Sequence, residues 1–159
     1  MIKIHKLDYE SPIGVMEIKG TTEAITSILF SEKNEKVDIL RTETPEILRK
    51  CYKQLDEFFK GNRRDFSLPY QLEGTAFQKT VWETLIKIPY GYTTSYKEIA
   101  FLIGNQRAIR AVGSANGKNK LGIIIPCHRI IGSNGMLCGY AGGLWRKEWL
   151  LHHEKTFNK

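Results

Sequence analysis

The sequence predicts two domains in series: an α/β domain over residues 1–70, built of a small sheet plus a helix, and a mostly α domain over residues 71–159 with a helix-turn-helix. Three observations lead to this. The first half has β-rich runs followed by a helical repeat, the second half has short capped helices separated by turns, and the charge divides between the halves. From Met1 to Glu73 there are 12 Lys and Arg against 13 Asp and Glu; from Gly74 to Lys159 there are 12 against 4, so the whole net +7 comes from the second half. A basic half beside a neutral one suits contact with a polyanion.

In the first half, Gly14–Lys19 roughly alternates after Ser11-Pro12 and reads as a strand, as does Ala24–Phe30. Ser31–Lys36 is charged and reads as a turn. Pro45 suits the first turn of a helix reaching about Lys60, in which Ile47, Leu48, Cys51, Leu55, Phe58 and Phe59 recur at helical spacing and Gly61-Asn62 gives the stop. Cys51 falls on the apolar side of that helix and reads as a buried, inert thiol. Arg63–Glu73 contains Pro69 and little periodicity, and the domain junction is placed there.

In the second half, Thr75 can cap a helix carrying Phe77, Val81, Trp82, Leu85 and Ile86, ended by Pro89-Tyr90-Gly91. Ser95-Tyr96-Lys97-Glu98 has the spacing of a capping box and opens a helix with Ile99, Ala100, Leu102 and Ile103. Gly104-Asn105 ends it, Asn105 can cap the next, and Gln106 to about Ala115 completes the pair. That last helix mixes Arg107 and Arg110 with small residues, which suits close approach to phosphates or a duplex.

Composition narrows the function further. The chain has 159 residues, 42% of them hydrophobic, which is enough to bury a core without disulfides. No apolar run nears the ~18–20 residues of a membrane span, and Met1–Lys6 lacks an apolar leader core, so a cytoplasmic protein (nuclear in a eukaryote) with no membrane partner is expected. Cys51, Cys127 and Cys138 are odd in number and form no Cys-x-x-Cys pair, so neither a disulfide framework nor a cysteine zinc site is expected.

The densest chemical signal is Leu121–Gly132, an apolar run that reads as a buried strand or core segment and delivers Pro126-Cys127-His128-Arg129. A thiol becomes a nucleophile when a base or positive charge stabilises its thiolate. Neighbours on an extended strand point oppositely, so adjacency of Cys127 and His128 does not make a dyad, although a turn at Pro126 would bring them together. On these residues alone, a structural Cys beside a satisfied His is the preferred reading.

Pro126-Cys127-His128-Arg129-Ile130 followed by Gly139-Tyr140-Ala141-Gly142-Gly143-Leu144 resembles the O6-alkylguanine-DNA alkyltransferase family. The resemblance extends through Ile88-Pro89-Tyr90-Gly91, Ser95-Tyr96, Arg110-Ala111-Val112-Gly113, Ala115-Asn116-Gly117, Asn119, Leu150-Leu151 and Glu154. It covers about Gly74 to Lys155, with Ser11-Pro12-Ile13-Gly14 similar to the family's opening.

The resemblance implies repair by direct reversal, in which a flipped O6-alkylguanine, or O4-alkylthymine, gives its alkyl group irreversibly to Cys127. His128 and Glu154 would then form a Cys-His-Glu relay with Cys127. Tyr96 would assist the departing base, and Asn119 would tie the helix-turn-helix to the active segment. Arg110 would fill the gap left in the duplex, with Tyr96, Arg107, Ala108, Gly113 and Ser114 as further DNA contacts. Tyr140, Ala141, Gly142, Ile130 and Asn116 would line the pocket. The partner implied is double-stranded DNA met by a monomer, with no cofactor, and the N-terminal domain would be ribonuclease-H-like.

Some positions depart from the pattern: Ser114 stands for a second glycine, and Gly122 for a proline of some relatives. The zinc ligands of some relatives have no counterpart, since His5 alone is not a site, so no metal is expected. Cys138 reads as incidental. The competing expectations are a non-catalytic alkyltransferase-like lesion binder and a helix-turn-helix transcription regulator.

Overall fold

The computed structural model describes residues 2–137 and 139–158, so Cys138 lies outside the described residues. The chain forms two units, Met1–Leu72 and Glu73–Lys159.

In the first unit, β1 (His5–Ser11), β2 (Gly14–Gly20) and β3 (Ile25–Phe30) form an antiparallel sheet in that order. Leu7 faces Ile18 across β1–β2, and Ile18 faces Ile28 across β2–β3. Helix α1 (Glu46–Phe59) lays Leu48, Cys51, Leu55 and Phe58 against this sheet. Burial pushes the Cys51 thiol up to about 12, which leaves it protonated and inert. The chain after α1 returns beside β3, where Ile25 N donates to Pro69 O and Gln71 N donates to Ile25 O, both at 2.9 Å.

Strand β1 is not among the strands that the pattern predicts. It fails to alternate because Asp8 is buried along with Leu7 and Tyr9. Its carboxylate Oδ2 accepts from Lys33 Nζ at 2.7 Å and from the Val37 and Asp38 amides at 2.9 Å each. Burial alone would raise the Asp8 carboxyl, but Lys33 and these amides outweigh it and hold it below its ordinary 3.8. Asp8 thus fastens the irregular segment after β3 onto the sheet.

The second unit contains α2 (Ala76–Ile86), β4 (Thr94–Ser95), α3 (Tyr96–Leu102), α4 (Ile109–Gly117), a 3-10 turn (Cys127–Arg129), β5 (Ile130–Ile131) and α5 (Leu144–Phe157). Thr75 and Gln78 make a complete capping box for α2, and Ser95 caps α3 by accepting from Glu98 N at 3.0 Å. Trp82 Nε1 donates to Ala115 O at 2.8 Å and ties α2 to α4. Ile99 and Ala100 pack inward, whereas Leu102, expected on the same apolar face, is exposed.

The structure corrects two further expectations. Helix α4 begins at Ile109 rather than Gln106, because Ala108 N bonds to Asn105 O at 3.0 Å and closes a turn before the helix starts. Arg107 therefore lies in the turn, and Ala108, not Asn105, is the cap residue. The run Leu121–Gly132 is a strand only at Ile130–Ile131; the rest is a chain of tight turns. Helix α5 buries Lys147, Leu150, His153 and Glu154, an inward face too polar to read as amphipathic.

Replacing Asp8 by Ala should lower the unfolding free energy by about 2 kcal/mol, since the Val37 and Asp38 amides lose their acceptor and Lys33 keeps only Glu17 and Asp38. Because the folded carboxyl sits below its unfolded value, its contribution is present above pH 3.8 and lost as pH falls below it. Urea titration followed by circular dichroism at neutral and acid pH measures both effects; a neutral-pH loss below about 0.5 kcal/mol, no more than an ordinary surface substitution, would refute the fastening role.

Candidate active site

The segment leading to Cys127 is wound into consecutive turns. Ile125 N bonds to Leu121 O at 2.9 Å, Cys127 N to Ile125 O at 2.7 Å, and Arg129 N to Pro126 O at 2.9 Å. Between them Ile123 has φ 72°, in the left-handed region that a β-branched residue avoids. Asn119 braces this turn from both sides: its Oδ1 accepts from Leu121 N at 2.9 Å and its Nδ2 donates to Ile125 O at 3.0 Å. The Asn119 side chain also favours the Cys127 thiolate against the effect of burial. Asn116, on α4, reaches the Cys127 carbonyl at 3.4 Å. The turn at Pro126 thus carries Cys127 and His128 into one buried 3-10 turn.

The two-residue parallel ladder Thr94↔Ile130 and Ser95↔Ile131 joins this turn to the start of α3. It sets Tyr96, the first residue of α3, in one frame with Cys127. Tyr96 is half-buried, and a Cβ added to Gly113 would sit 3.6 Å from its ring, so α4 passes directly beneath the phenol.

Glu154 is the electrostatic centre. Its Oε2 meets His128 Nε2 at 2.6 Å; Arg129 grips both oxygens, Nε to Oε1 at 2.8 Å and Nη2 to Oε2 at 3.0 Å; and Gly91 N donates to Oε1 at 3.2 Å. His128 is 0% exposed and Glu154 1%. Burial pushes the carboxyl up, but His128 and Arg129 more than reverse it and bring Glu154 to about 2. For His128, burial outweighs the carboxylate and keeps the imidazole below its ordinary 6.5. An ionised carboxylate only accepts, so Nε2 carries the imidazole proton and Nδ1 is left with the lone pair. Nδ1 is buried and has no hydrogen-bond partner among the described residues. A neutral base thus stands next in the chain to a buried thiol.

Pro89-Tyr90-Gly91 closes over this centre. Arg129 Nη1 donates to Ile88 O at 2.6 Å, and the guanidinium lies 5.6 Å from the Tyr90 ring centroid. Gly91 has φ 83°, and a Cβ there would meet Asn158 at 2.2 Å, so only glycine fits.

The structure gathers Cys127, His128, Glu154, Asn119, Asn116 and Ile130 into one buried cluster, with Tyr140 close enough for Cys127 to act on its phenol. Gly142 O accepts from Arg146 Nη1 at 3.0 Å, and Ala141 is exposed on the same turn. Arg110 and Ser114 lie outside the cluster, on the exposed face of α4 with Ala111 and Gly117. Arg107 is also exposed, whereas Ala108 is buried at the head of α4. Sequence reasoning missed the part of Arg129 as the clamp on Glu154, although its place beside His128 was a signal. It also missed Lys147, 0% exposed, whose Nζ donates to Gly139 O at 3.2 Å. Among the described residues no group of three or more His, Cys, Asp and Glu is placed to hold a metal, and no helix is long and apolar enough to cross a membrane.

Comparison with known proteins agrees with this geometry. The ribonuclease-like domain of 6-O-methylguanine DNA methyltransferase matches residues 4–72, and the DNA binding domain matches residues 76–156. A methylated-DNA--protein-cysteine methyltransferase of Methanosarcina acetivorans is 45% identical over 148 residues, covering 92% of this chain and 95% of the relative. The constitutive enzyme of that name from Bacillus subtilis is 42% identical over 156 residues, covering 94% of each chain. The crystal structure of Mycobacterium tuberculosis OGT in complex with DNA superposes with a TM-score of 0.86 at 42% identity, covering 96% of this chain and 94% of that one. With both domains matched along nearly its whole length, the chain belongs to the 6-O-methylguanine DNA methyltransferase family.

Proposed function

We propose that this protein repairs alkylated DNA by moving the alkyl group of O6-alkylguanine, and of O4-alkylthymine, onto Cys127. The observation that carries this reading is the 2.6 Å bond between His128 and an ionised Glu154, which leaves a neutral imidazole beside a buried thiol in a chain of this family. The Cys127 proton passes through a bridging water to His128 Nδ1, and Glu154 stabilises the imidazolium. The sulfur attacks the alkyl carbon, the S–C bond forms as the C–O6 bond breaks, and guanine leaves as its anion. Tyr96 donates a hydrogen bond to that anion, which regains a proton, so the thiol proton ends on guanine. The thioether does not revert, and each molecule acts once.

DNA meets the exposed face of α4. Arg110, Ala111, Ser114 and Gly117 offer one guanidinium among side chains small enough for a backbone to approach a duplex closely. A target base cannot react while stacked, so it is extruded toward Tyr96 and Cys127, and Arg110 fills the space it leaves. Arg107 and the N-terminus of α4 at Ala108 contact the backbone. Gly113 lets the base edge pass Tyr96, and Tyr140, Ala141, Gly142, Ile130 and Asn116 bound the pocket. The pair α3–α4 is then a helix-turn-helix turned toward the minor groove. A transcription regulator would need several base-reading side chains on that face, and α4 presents one. The proposed substrate puts the protein with the chromosome, in the cytoplasm of a cell without a nucleus, acting as a monomer.

Incubation with duplex DNA carrying O6-methylguanine should add one methyl group to the peptide containing Cys127, seen by mass spectrometry. Cys127→Ser should bind the duplex and gain nothing; methylation elsewhere, or none in the parent, would refute the reading.

The His128–Glu154 pair predicts an acid profile. Both groups hold protons more weakly folded than unfolded, so the stability they give is present above their ordinary values of 6.5 and 4.5. It declines as pH falls, first through the His128 range and then toward the lowered Glu154 value near 2. Melting temperature measured between neutral and acid pH should show this fall. Glu154→Gln should flatten it, slow single-turnover transfer, and cost about 3–5 kcal/mol at neutral pH by leaving Arg129 buried without its anion.

Arg110→Ala should slow repair of duplex DNA by about tenfold or more while changing reaction with free O6-methylguanine base much less, since nothing has to be extruded there. Single-turnover rates on the two substrates make the comparison; equal losses on both would remove Arg110 from extrusion.

A further inference from the structure

Helix α5 brings three ionisable side chains into the core of the second unit, Lys147, His153 and Glu154, and the mechanism above uses only Glu154. Lys147 and Glu154 lie seven residues apart, on the same face as Leu150, and this helix packs against the Cys127–Arg129 turn. Lysine is among the residues least often fully buried, yet Lys147 is 0% exposed. Its Nζ donates to the Gly139 carbonyl at 3.2 Å, at the head of the turn that carries Tyr140, Ala141 and Gly142. The turn is closed at its other end by Gly143 N bonding to Tyr140 O at 2.8 Å and by Arg146 on Gly142 O.

We propose that Lys147 is a positioning residue for alkyl transfer: its buried ammonium pins the Gly139 carbonyl, and with it the pocket-wall turn, and sets a fixed positive charge where the Cys127 sulfur becomes negative. This rests on the transfer reading above.

The ionisable groups around the sulfur divide by element. His128 and Arg129 come from its own turn, Tyr140 from the pocket wall, and Lys147 and Glu154 from α5. Burial raises the Cys127 thiol; the Asn119 hydrogen bond and then the Lys147 charge work against that rise. The same charge also disfavours a proton on His128, where Glu154 opposes it. Arg129 is committed to Glu154 by its bidentate grip, so the charge it carries is spent on the relay rather than on the sulfur. Once the sulfur is a thioether it carries no charge, and the electrostatic link between α5 and the sulfur is lost, while the Gly139 bond remains.

The test compares the parent with Lys147→Met, Lys147→Gln and Lys147→Arg. Two rates are followed against pH: carbamidomethylation of Cys127 by iodoacetamide, read on its peptide, and single-turnover methyl transfer from duplex DNA. The neutral variants should move the midpoint of both profiles upward by about one to three units, and Lys147→Arg should hold it near the parent's. A merely structural lysine would lower the rates at every pH without moving the midpoint, and that result overturns the proposal. If neither neutral variant folds, nitrogen-15 NMR of the parent decides. The Lys147 Nζ signal should follow the Cys127 titration and cease to do so after Cys127 is carbamidomethylated; a signal indifferent to both overturns the proposal. A parent that fails to transfer methyl groups would refute the transfer reading, while the iodoacetamide profile would still decide whether Lys147 acts on the thiol.

Discussion

The second unit is organised by the burial of one carboxylate. Glu154 can remain ionised at 1% exposure only because His128, the Arg129 fork and the Gly91 amide all point at it. A charge in that position costs several kcal/mol unless it is fully answered, so each donor must be delivered with little tolerance. That requirement dictates the bend at Gly91, the 3-10 turn that throws His128 and Arg129 to one side, and the packing of α5 against that turn. Cys127, the proposed nucleophile, occupies the remaining position of the turn. The reactivity proposed for Cys127 and the stability of the unit therefore draw on the same bonds.

A second constraint is local strain. Ile123 is held at φ 72° in a run whose neighbours favour strand, at a cost of about 1–3 kcal/mol. Asn119 offsets it by bonding both ends of the turn. The same amide favours the Cys127 thiolate, so the brace that holds the turn also acts on the sulfur's charge. The residue is a single link between backbone geometry and chemistry, which explains why an asparagine, with donor and acceptor on one short side chain, serves there.

The two sides of α4 divide the work. Val112, Ala115 and Asn116 face inward, fastened by Trp82 to Ala115 O and by Asn116 to Cys127 O. Beyond Ile109 at its start, the outward face is stripped to small residues and Arg110. Gly113, Ser114 and Gly117 contribute little to helix stability, and these polar ties help hold α4 against the core.

Much of this was legible in the chain itself. The alternation in Gly14–Lys19, the helical spacing from Leu48 to Phe58, the Thr75 and Ser95 caps and the Pro-Cys-His-Arg run are local patterns, and local patterns reflect backbone preferences that neighbouring residues set. The resemblance around Cys127 likewise named His128 and Glu154, which the structure brings together at 2.6 Å. Contacts across long separations were not legible. Strand β1 was hidden because Asp8 is buried by a segment some thirty residues away. Helix α5 was hidden because its inward face is Lys147, Leu150, His153 and Glu154, polar groups whose burial makes sense only once Arg129, His128 and the Gly139 carbonyl are brought to meet them. The start of α4 shifted because a backbone turn closed ahead of it. The sequence by itself determined β2, β3, the helices α1 to α3 and the charge division; the tertiary structure alone decided which charges are buried together, since the cost of burying a charge depends on partners that only folding supplies.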